Sequence, residues 1–293
     1  MALRPNVEVI DPDFFPLFIS SDYFLDAAIK ISVGSLSPTV NWRDLKNLEL
    51  DLPDLETQRK LAAVLWSIND TMESYKKLIS ATDELVKSQF MEQFGSYLGD
   101  ETRCATVEQV CTVFADGDWI ESKDQADDGI RLIQTGNVGN GVYLDKGERA
   151  RYIDEETFVR LNCTEVLPND ILISRLPDPV GRACIIPDGL GKSITAVDCS
   201  IVRLKSHVLP EFFVAYTMTT LYAAQIGSSV TGSTRKRISR KNLGQVVIPT
   251  PDIDQQEQFA AFVRQSDKSK FELEKALSEL TATYKRIIAE NLG

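Results

Sequence analysis

PDLETQRKLAAVLWSINDTMESYKKLISATDELVKSQFMEQF, residues 53–94, is answered by PDIDQQEQFAAFVRQSDKSKFELEKALSELTATYKRIIAENL, residues 251–292. An offset of 198 residues, Pro53 to Pro251, aligns the two without a gap. Asp54 falls on Asp252, Gln58 on Gln256, Ala62-Ala63 on Ala260-Ala261 and Lys87 on Lys285. An internal repeat is read first because missing it misassigns the whole architecture. Each copy opens with Pro-Asp and a Gln or Glu a turn later, a helix start with acid at the positive end of the dipole. In the first copy Leu61, Leu65, Ile68, Met72, Tyr75, Ile79, Thr82 and Val86 recur at alternating spacings of four and three, the seam of a coiled coil. The same register in the second copy gives Phe259, Val263, Ser266, Lys270, Leu273, Leu277, Leu280, Tyr284 and Ile287. Ser266 and Lys270 weaken that seam. About 40 residues at 1.5 Å each make a rod of roughly 60 Å that needs a partner. The expected partner is the other copy, packed antiparallel, with Leu61, Leu65, Ile68 and Ile79 facing Leu273, Leu277, Leu280 and Tyr284.

The repeat extends upstream. Phe14-Phe15 maps onto Phe212-Phe213, Phe18 onto Tyr216, Gly34-Ser35 onto Gly232-Ser233, Leu45 onto Leu243 and Leu50 onto Ile248. Residues 13–95 therefore recur as 211–293, and residues 96–210 occur once. The chain reads as one complete unit preceded by the final part of another.

At 293 residues and 43% hydrophobic content there is room for one sizeable globular domain plus the rods. No stretch approaches 18 consecutive apolar residues, so no membrane helix is expected. MALRPNVEVIDPD lacks an apolar signal region, which makes the cytoplasm the expected compartment. Cys104, Cys111, Cys163, Cys184 and Cys199 contain no C-x-x-C and read as reduced thiols. The net charge of −11 argues at first against nucleic acid. Its distribution argues otherwise: residues 100–251 hold 17 Lys/Arg against 20 Asp/Glu, and the remainder holds 15 against 23. The run TGSTRKRISRKN, 231–242, carries five cations and no acid.

Residues 1–12 read as a loose lead, 13–30 as one helix, 32–40 as a loop and 45–52 as a short strand. Forty such residues cannot bury a core of their own and should dock on the rods or on a neighbouring chain. Residues 100–250 read as a mixed α/β domain. Strands are expected at 130–135, 170–174, 182–187, 200–204 and 245–248, with helices at 152–161 and 211–226.

No catalytic constellation emerges. His207 is the only histidine and reads as a surface residue, which excludes His-based triads and His-rich metal sites. Gly191-Lys192-Ser193 lacks the upstream glycine of a phosphate loop. The glycines of 136–141 are accounted for by turn chemistry. A glycine-rich loop and an Asn-Pro-Pro-aromatic tetrapeptide for S-adenosylmethionine are both missing. What remains suits bases and phosphates. Gln134, Thr135 and Asn137 stand at a strand end, Ser174, Arg175 and Arg182 bracket a Pro177/Pro179 turn, and Ser233, Thr234, Arg235, Lys236 and Arg237 form a small-residue, basic loop.

The stretches DGDWIESKDQADDGIRLIQTGNVGNGVY (116–143), YIDEETF (152–158), NDILISRLPDPVGRACII (169–186) and GSTRKRISRKNLGQVVIPTPDIDQQEQF (232–259), with the echo NWRDLKNLELDLPDLETQRKLAAVL (41–65), resemble the specificity (S) subunit of type I restriction–modification enzymes. The resemblance implies a mixed α/β target-recognition domain followed by a long helix. The family's paired helices form an antiparallel coiled coil that holds two recognition domains apart, and each domain reads half of a bipartite site in double-stranded DNA. It further implies docking of methyltransferase (M) subunits, restriction (R) subunits through them, and catalysis with S-adenosylmethionine, ATP and Mg confined to those partners. The expected organisation is then 1–52, remnant of a first recognition domain; 53–96, first long helix; 97–250, complete recognition domain; 251–293, second long helix. With one whole domain, a homodimer reading an interrupted palindrome is expected. The competing reading is a truncated subunit that binds methyltransferase without targeting DNA, an inhibitor or a silent cassette.

Overall fold

The computed structural model describes residues 3–34, 38–232 and 236–292. The chain divides into two compact units, Met1–Thr82 with Lys268–Gly293, and Asp83–Asp267.

The first unit begins with α1 (Phe14–Ile19), α2 (Asp22–Lys30) and α3 (Trp42–Leu45), then α4 (Leu55–Phe94), which runs on into the second unit. The single helix expected over 13–30 is two. Ser21 takes an extended backbone and its Oγ accepts from Phe24 N, so it caps a new helix instead of continuing the old one. The strand expected at 45–52 does not form: α3 ends at Leu45, and residues 46–52 pair with no strand among the described residues. A strand needs a ladder partner, and this segment lacks one. The lead is also tighter than expected. Ile10 is buried, Asp11 N donates to Gln58 Oε1 at 2.8 Å, and Gln58 Nε2 donates to Val9 O at 3.1 Å and Pro53 O at 2.7 Å. Phe14, Leu17 and Phe18 pack on Ala62 and Leu65, with Tyr284, Ile287 and Ile288 of the C-terminal helix closing the cluster. The expected docking of the segment on the rods is thus met.

In the second unit come β1 (Cys104–Thr106), β2 (Cys111–Asp116), β3 (Ile130–Ile133), β4 (Arg151–Ile153), α5 (Glu155–Arg160), β5 (Ile171–Ser174), β6 (Ala183–Ile185), β7 (Ser193–Thr195) and β8 (Cys199–Leu204). They are followed by α6 (Pro210–Thr217), α7 (Thr220–Ser229), α8 (Arg240–Gly244), β9 (Val247–Pro249) and α9 (Ile253–Leu292). One sheet has the order β2-β8-β5-β6, all antiparallel. A second has the order β4-β3-β7, with β3 and β7 parallel. β1 and β9 pair antiparallel, Cys104 opposite Pro249. We call the sheet-bearing residues 97–205 the body. β5 is buried along its whole length, as a central strand covered on both faces must be. The helix expected over 211–226 breaks where Thr219 caps α7 by accepting from Tyr222 N. The aromatic centre of this unit is Phe90, Phe94, Phe212, Tyr216 and Phe259, their ring centroids 5.1–6.1 Å apart where they meet.

The two long helices form an antiparallel coiled coil. Leu65, early in α4, shares a cluster with Tyr284 and Ile287, late in α9; Phe90 and Phe94, late in α4, meet Phe259, early in α9. Between these ends Thr281 Oγ1 approaches Met72 Sδ at 3.6 Å. Along the expected seam Leu65 and Val86 are buried, and Leu61, Ile68, Met72, Ile79, Leu273, Leu277, Leu280 and Tyr284 are partly buried. Ser266 is buried in the seam despite its polarity.

The bonds that close the repeated element recur in both copies. Gln256 accepts from Leu209 N at 2.9 Å and donates to His207 O and Pro251 O, both at 2.9 Å. These partners sit at the offset of 198 from Asp11, Val9 and Pro53. Val33 bridges Thr39 as Thr231 bridges Arg237. The glycines that let these turns reverse are both left-handed, Gly34 at φ 105° and Gly232 at φ 98°. Trp66 Nε1 donates to Asp13 O, and at the corresponding places Arg264 pairs with Glu211.

Candidate nucleic-acid interface

Residues 236–240 of the basic run are held against the strand ends of the body by a charge network. Arg175, just past β5, is buried, with its guanidinium 3.4 Å from Asp116 at the end of β2. It also donates to Val197 O, while Arg175 N donates to Asp198 O at 2.9 Å. Arg175 O accepts from Ile238 N in the basic run. Arg237 sits 3.0 Å from Asp198 Oδ1, and Arg240 Nε lies 3.5 Å from Asp116 and donates from its guanidinium to Phe114 O. Three cations thus share two carboxylates. Burial lowers the Arg175 pKa, Asp116 opposes the shift and Arg237 adds to it. Arg175 Nε and Asp198 Oδ1 are buried without a hydrogen-bond partner, so the charge contacts around them are not directional bonds. Arg237 and Arg240 keep nearly half of their side-chain surface in solvent, and Lys236 and Lys241 are exposed.

The strand end that supplies Asp116 turns sharply at Gly117. A Cβ there would meet Thr195 O and Ala196 O at 2.4 Å, which accounts for glycine between two aspartates. The turn throws Trp119 outward, 70% exposed.

The residues expected to contact bases separate into three groups. Lys236 and Arg237 lie on the surface beside Arg240. Ser233, Thr234 and Arg235 lie outside the described residues. The others are engaged within the protein or only part-exposed. Ser174 is fully buried and bonds Leu176 O, and Arg175 is spent on the network above. Asn137 is buried, accepting from Gln134 N and donating to Leu144 O. Arg182 donates to the carbonyls of Val138, Leu176, Pro179 and Thr135, which ties the 135–138 turn to the 176–181 turn. Gln134 and Thr135 are half-buried at that joint. Polar side chains at strand ends are demanded equally by turn closure and by base reading, and here turn closure takes Asn137, Ser174, Arg175 and Arg182. Asp116 and Asp198 were not foreseen, since acids under a basic loop give no separate sequence signal, and Arg240, though counted in the cationic run, was not among the expected contacts.

The five cysteines are free. Burial pushes Cys184 up to about 12 and Cys199 up to about 11. Among the described residues no group of three His, Cys, Asp or Glu could hold a metal, and no helix is long and apolar enough to cross a membrane.

A family model described as type I restriction modification DNA specificity domain matches residues 101–281. The putative type I restriction enzyme MjaX specificity subunit of Methanocaldococcus jannaschii is 21% identical over 307 residues, covering 96% of this chain and 68% of that protein. The type I restriction enzyme HindI specificity subunit of Haemophilus influenzae is 26% identical over 98 residues, 32% of this chain and 21% of that protein. Among solved structures, a chain from work on assembly and conformational transition of the type I R-M system aligns with a TM-score of 0.64 at 18% identity, covering 99% of this chain and 73% of that one. The HsdS subunit from Thermoanaerobacter tengcongensis aligns at 0.50 and 18% identity, covering 99% and 72%. These structural likenesses speak for the fold alone.

Proposed function

The chain belongs to the type I restriction–modification DNA specificity family as a specificity subunit, and from that premise we propose that it binds double-stranded target DNA through the second unit. The surface formed by Lys236, Arg237, Arg240 and Lys241 is the phosphate-facing part of that contact. One observation carries this reading: residues 236–241 of the acid-free cationic run are held by a buried arginine and two aspartates instead of being left as a solvated turn. Phosphate contacts of this kind fix register on the duplex, while base edges are read by neighbouring loops. On the same reading the coiled coil docks methyltransferase subunits, and restriction subunits through them, in the cytoplasm. The chemistry, with its S-adenosylmethionine, ATP and Mg, belongs to those partners, and this chain supplies address without catalysis.

The test is binding of the chain with its methyltransferase subunit to a random-sequence duplex pool over a range of salt. Replacing Lys236, Arg237 and Arg240 by Gln should weaken binding and reduce the slope of log K against log salt by roughly one unit per lost phosphate contact. Unchanged affinity and slope would overturn this placement. Capture of methyltransferase with no selected DNA would favour the reading of a subunit that does not target DNA.

A further inference from the structure

Trp119 is the most exposed aromatic side chain among the described residues, and its neighbours on both sides are anchored. Gly117 N donates to Cys199 O at 2.9 Å, and Asp118 N donates to Thr195 O at 2.8 Å. Asp118 bridges Ala196, and its Oδ2 accepts from Thr164 N at 3.0 Å. On the other side Ile120 packs on the cluster of Ile130, Leu132, Ile153, Cys163 and Ile194. An indole has one donor and no acceptor, and here that N–H is turned to Glu121: the Lys123 ammonium first, and the Trp119 N–H after it, hold the Glu121 carboxyl below its usual value. What this mount offers to a ligand is the face of the ring. The mount also stands beside the cationic surface. Asp118 lies next to Ala196, and two residues further on Asp198 holds Arg237 at 3.0 Å. Asp116, three residues before Trp119, holds Arg240 at 3.5 Å. Three Cα steps of 3.8 Å put Trp119 at most about 11 Å from Asp116, the length of about three base steps.

We propose that Trp119 is a wedge: its ring inserts between two base pairs of the target duplex, beside the phosphates held by Arg237 and Arg240, and so selects a step that opens easily. The proposal rests on the reading of this surface as a DNA contact. A ring face cannot read the donors and acceptors of base edges. It reads the cost of unstacking, which is least at pyrimidine–purine steps. Anchoring on both sides suits this role, because a wedge that is already turned outward loses little freedom on binding. The cations then fix register on the backbone, and the ring adds a sequence preference within about three base steps of them.

The experiment lets the full chain with its methyltransferase subunit select from a random-sequence duplex pool, then titrates the selected duplex over a range of salt. Trp119→Ala should weaken binding at least about tenfold, by the same factor at every salt concentration, because an aromatic contact releases no counterion. The selected pool should lose a pyrimidine–purine step, and the melting temperature of the free chain should not move. Trp119→Phe should recover part of the affinity. Indole fluorescence should be quenched by the duplex in the parent chain and not in Trp119→Phe. Unchanged affinity and selection in Trp119→Ala, while Gln at 236, 237 and 240 still flattens the salt slope, would overturn the wedge and leave the cationic surface standing. A loss in Trp119→Ala that comes with a flatter slope would also overturn it, since the ring would then only steady the cations. Lost capture of methyltransferase with DNA contact intact would assign the ring to a protein partner instead. A parent complex that selects no duplex would overturn both readings.

Discussion

Residues 9–66 and 207–264 share the bonds of their glutamines and helix caps and differ in surroundings. Gln58 and Gln256 close the same ring of three hydrogen bonds, and Ser21 and Thr219 cap equivalent helices. Yet residues 247–249 are a strand and residues 49–51 are not. Bonds within an element follow from its own sequence; burial and strand identity follow from what lies on it.

The aromatic centre is where the difference should be largest. Phe90, 1% exposed, and Ile288, partly buried, are matching positions. Phe90→Ala should cost about 3–5 kcal/mol and Ile288→Ala about half of that, read by denaturant unfolding with separate probes for each unit. Equal losses would mean that the two ends are packed alike. The glutamines test the opposite limb of the comparison. Gln58→Ala and Gln256→Ala should each cost about 2–3 kcal/mol, because each strands one backbone donor and two carbonyls. A much smaller loss at Gln58 would break the equivalence. Smallest are the caps: Ser21→Ala and Thr219→Ala should each lower stability by about 1 kcal/mol, and a difference beyond that size would show the caps to be tuned by their neighbours.

The long helices, their antiparallel pairing and the upstream extent of the repeat were legible because they depend on periodicity and register. Leu65 and Val86 fall in the seam where the four-three spacing put them. The breaks at Ser21 and Thr219 were also in the sequence, as cap residues inside an otherwise helical pattern, and apolar spacing drowned them out. The strand at 45–52 could not be read correctly, since Leu48 and Leu50 alternate as a strand does and only the missing partner decides. β7 was missed because Ser193–Thr195 is three residues long and buried throughout, leaving no alternation to see. In the candidate interface the cationic run was plain, but Arg175 is buried and its role is fixed by Asp116 and Asp198, residues brought to it by the sheet and not by spacing along the chain.

The pairing of β2 with β8 has a further consequence. Leu204 lies opposite Cys111 and Lys205 N donates to Val110 O at 2.8 Å, so the chain enters the sheet and leaves the body side by side. An insert whose two ends meet in this way can be exchanged wholesale, since any replacement that arrives and departs through that pair leaves Gln256 and its bonds to Leu209 and His207 as they were. Heredity could thus rewrite the body by recombination at two junctions, without renegotiating the frame that carries it.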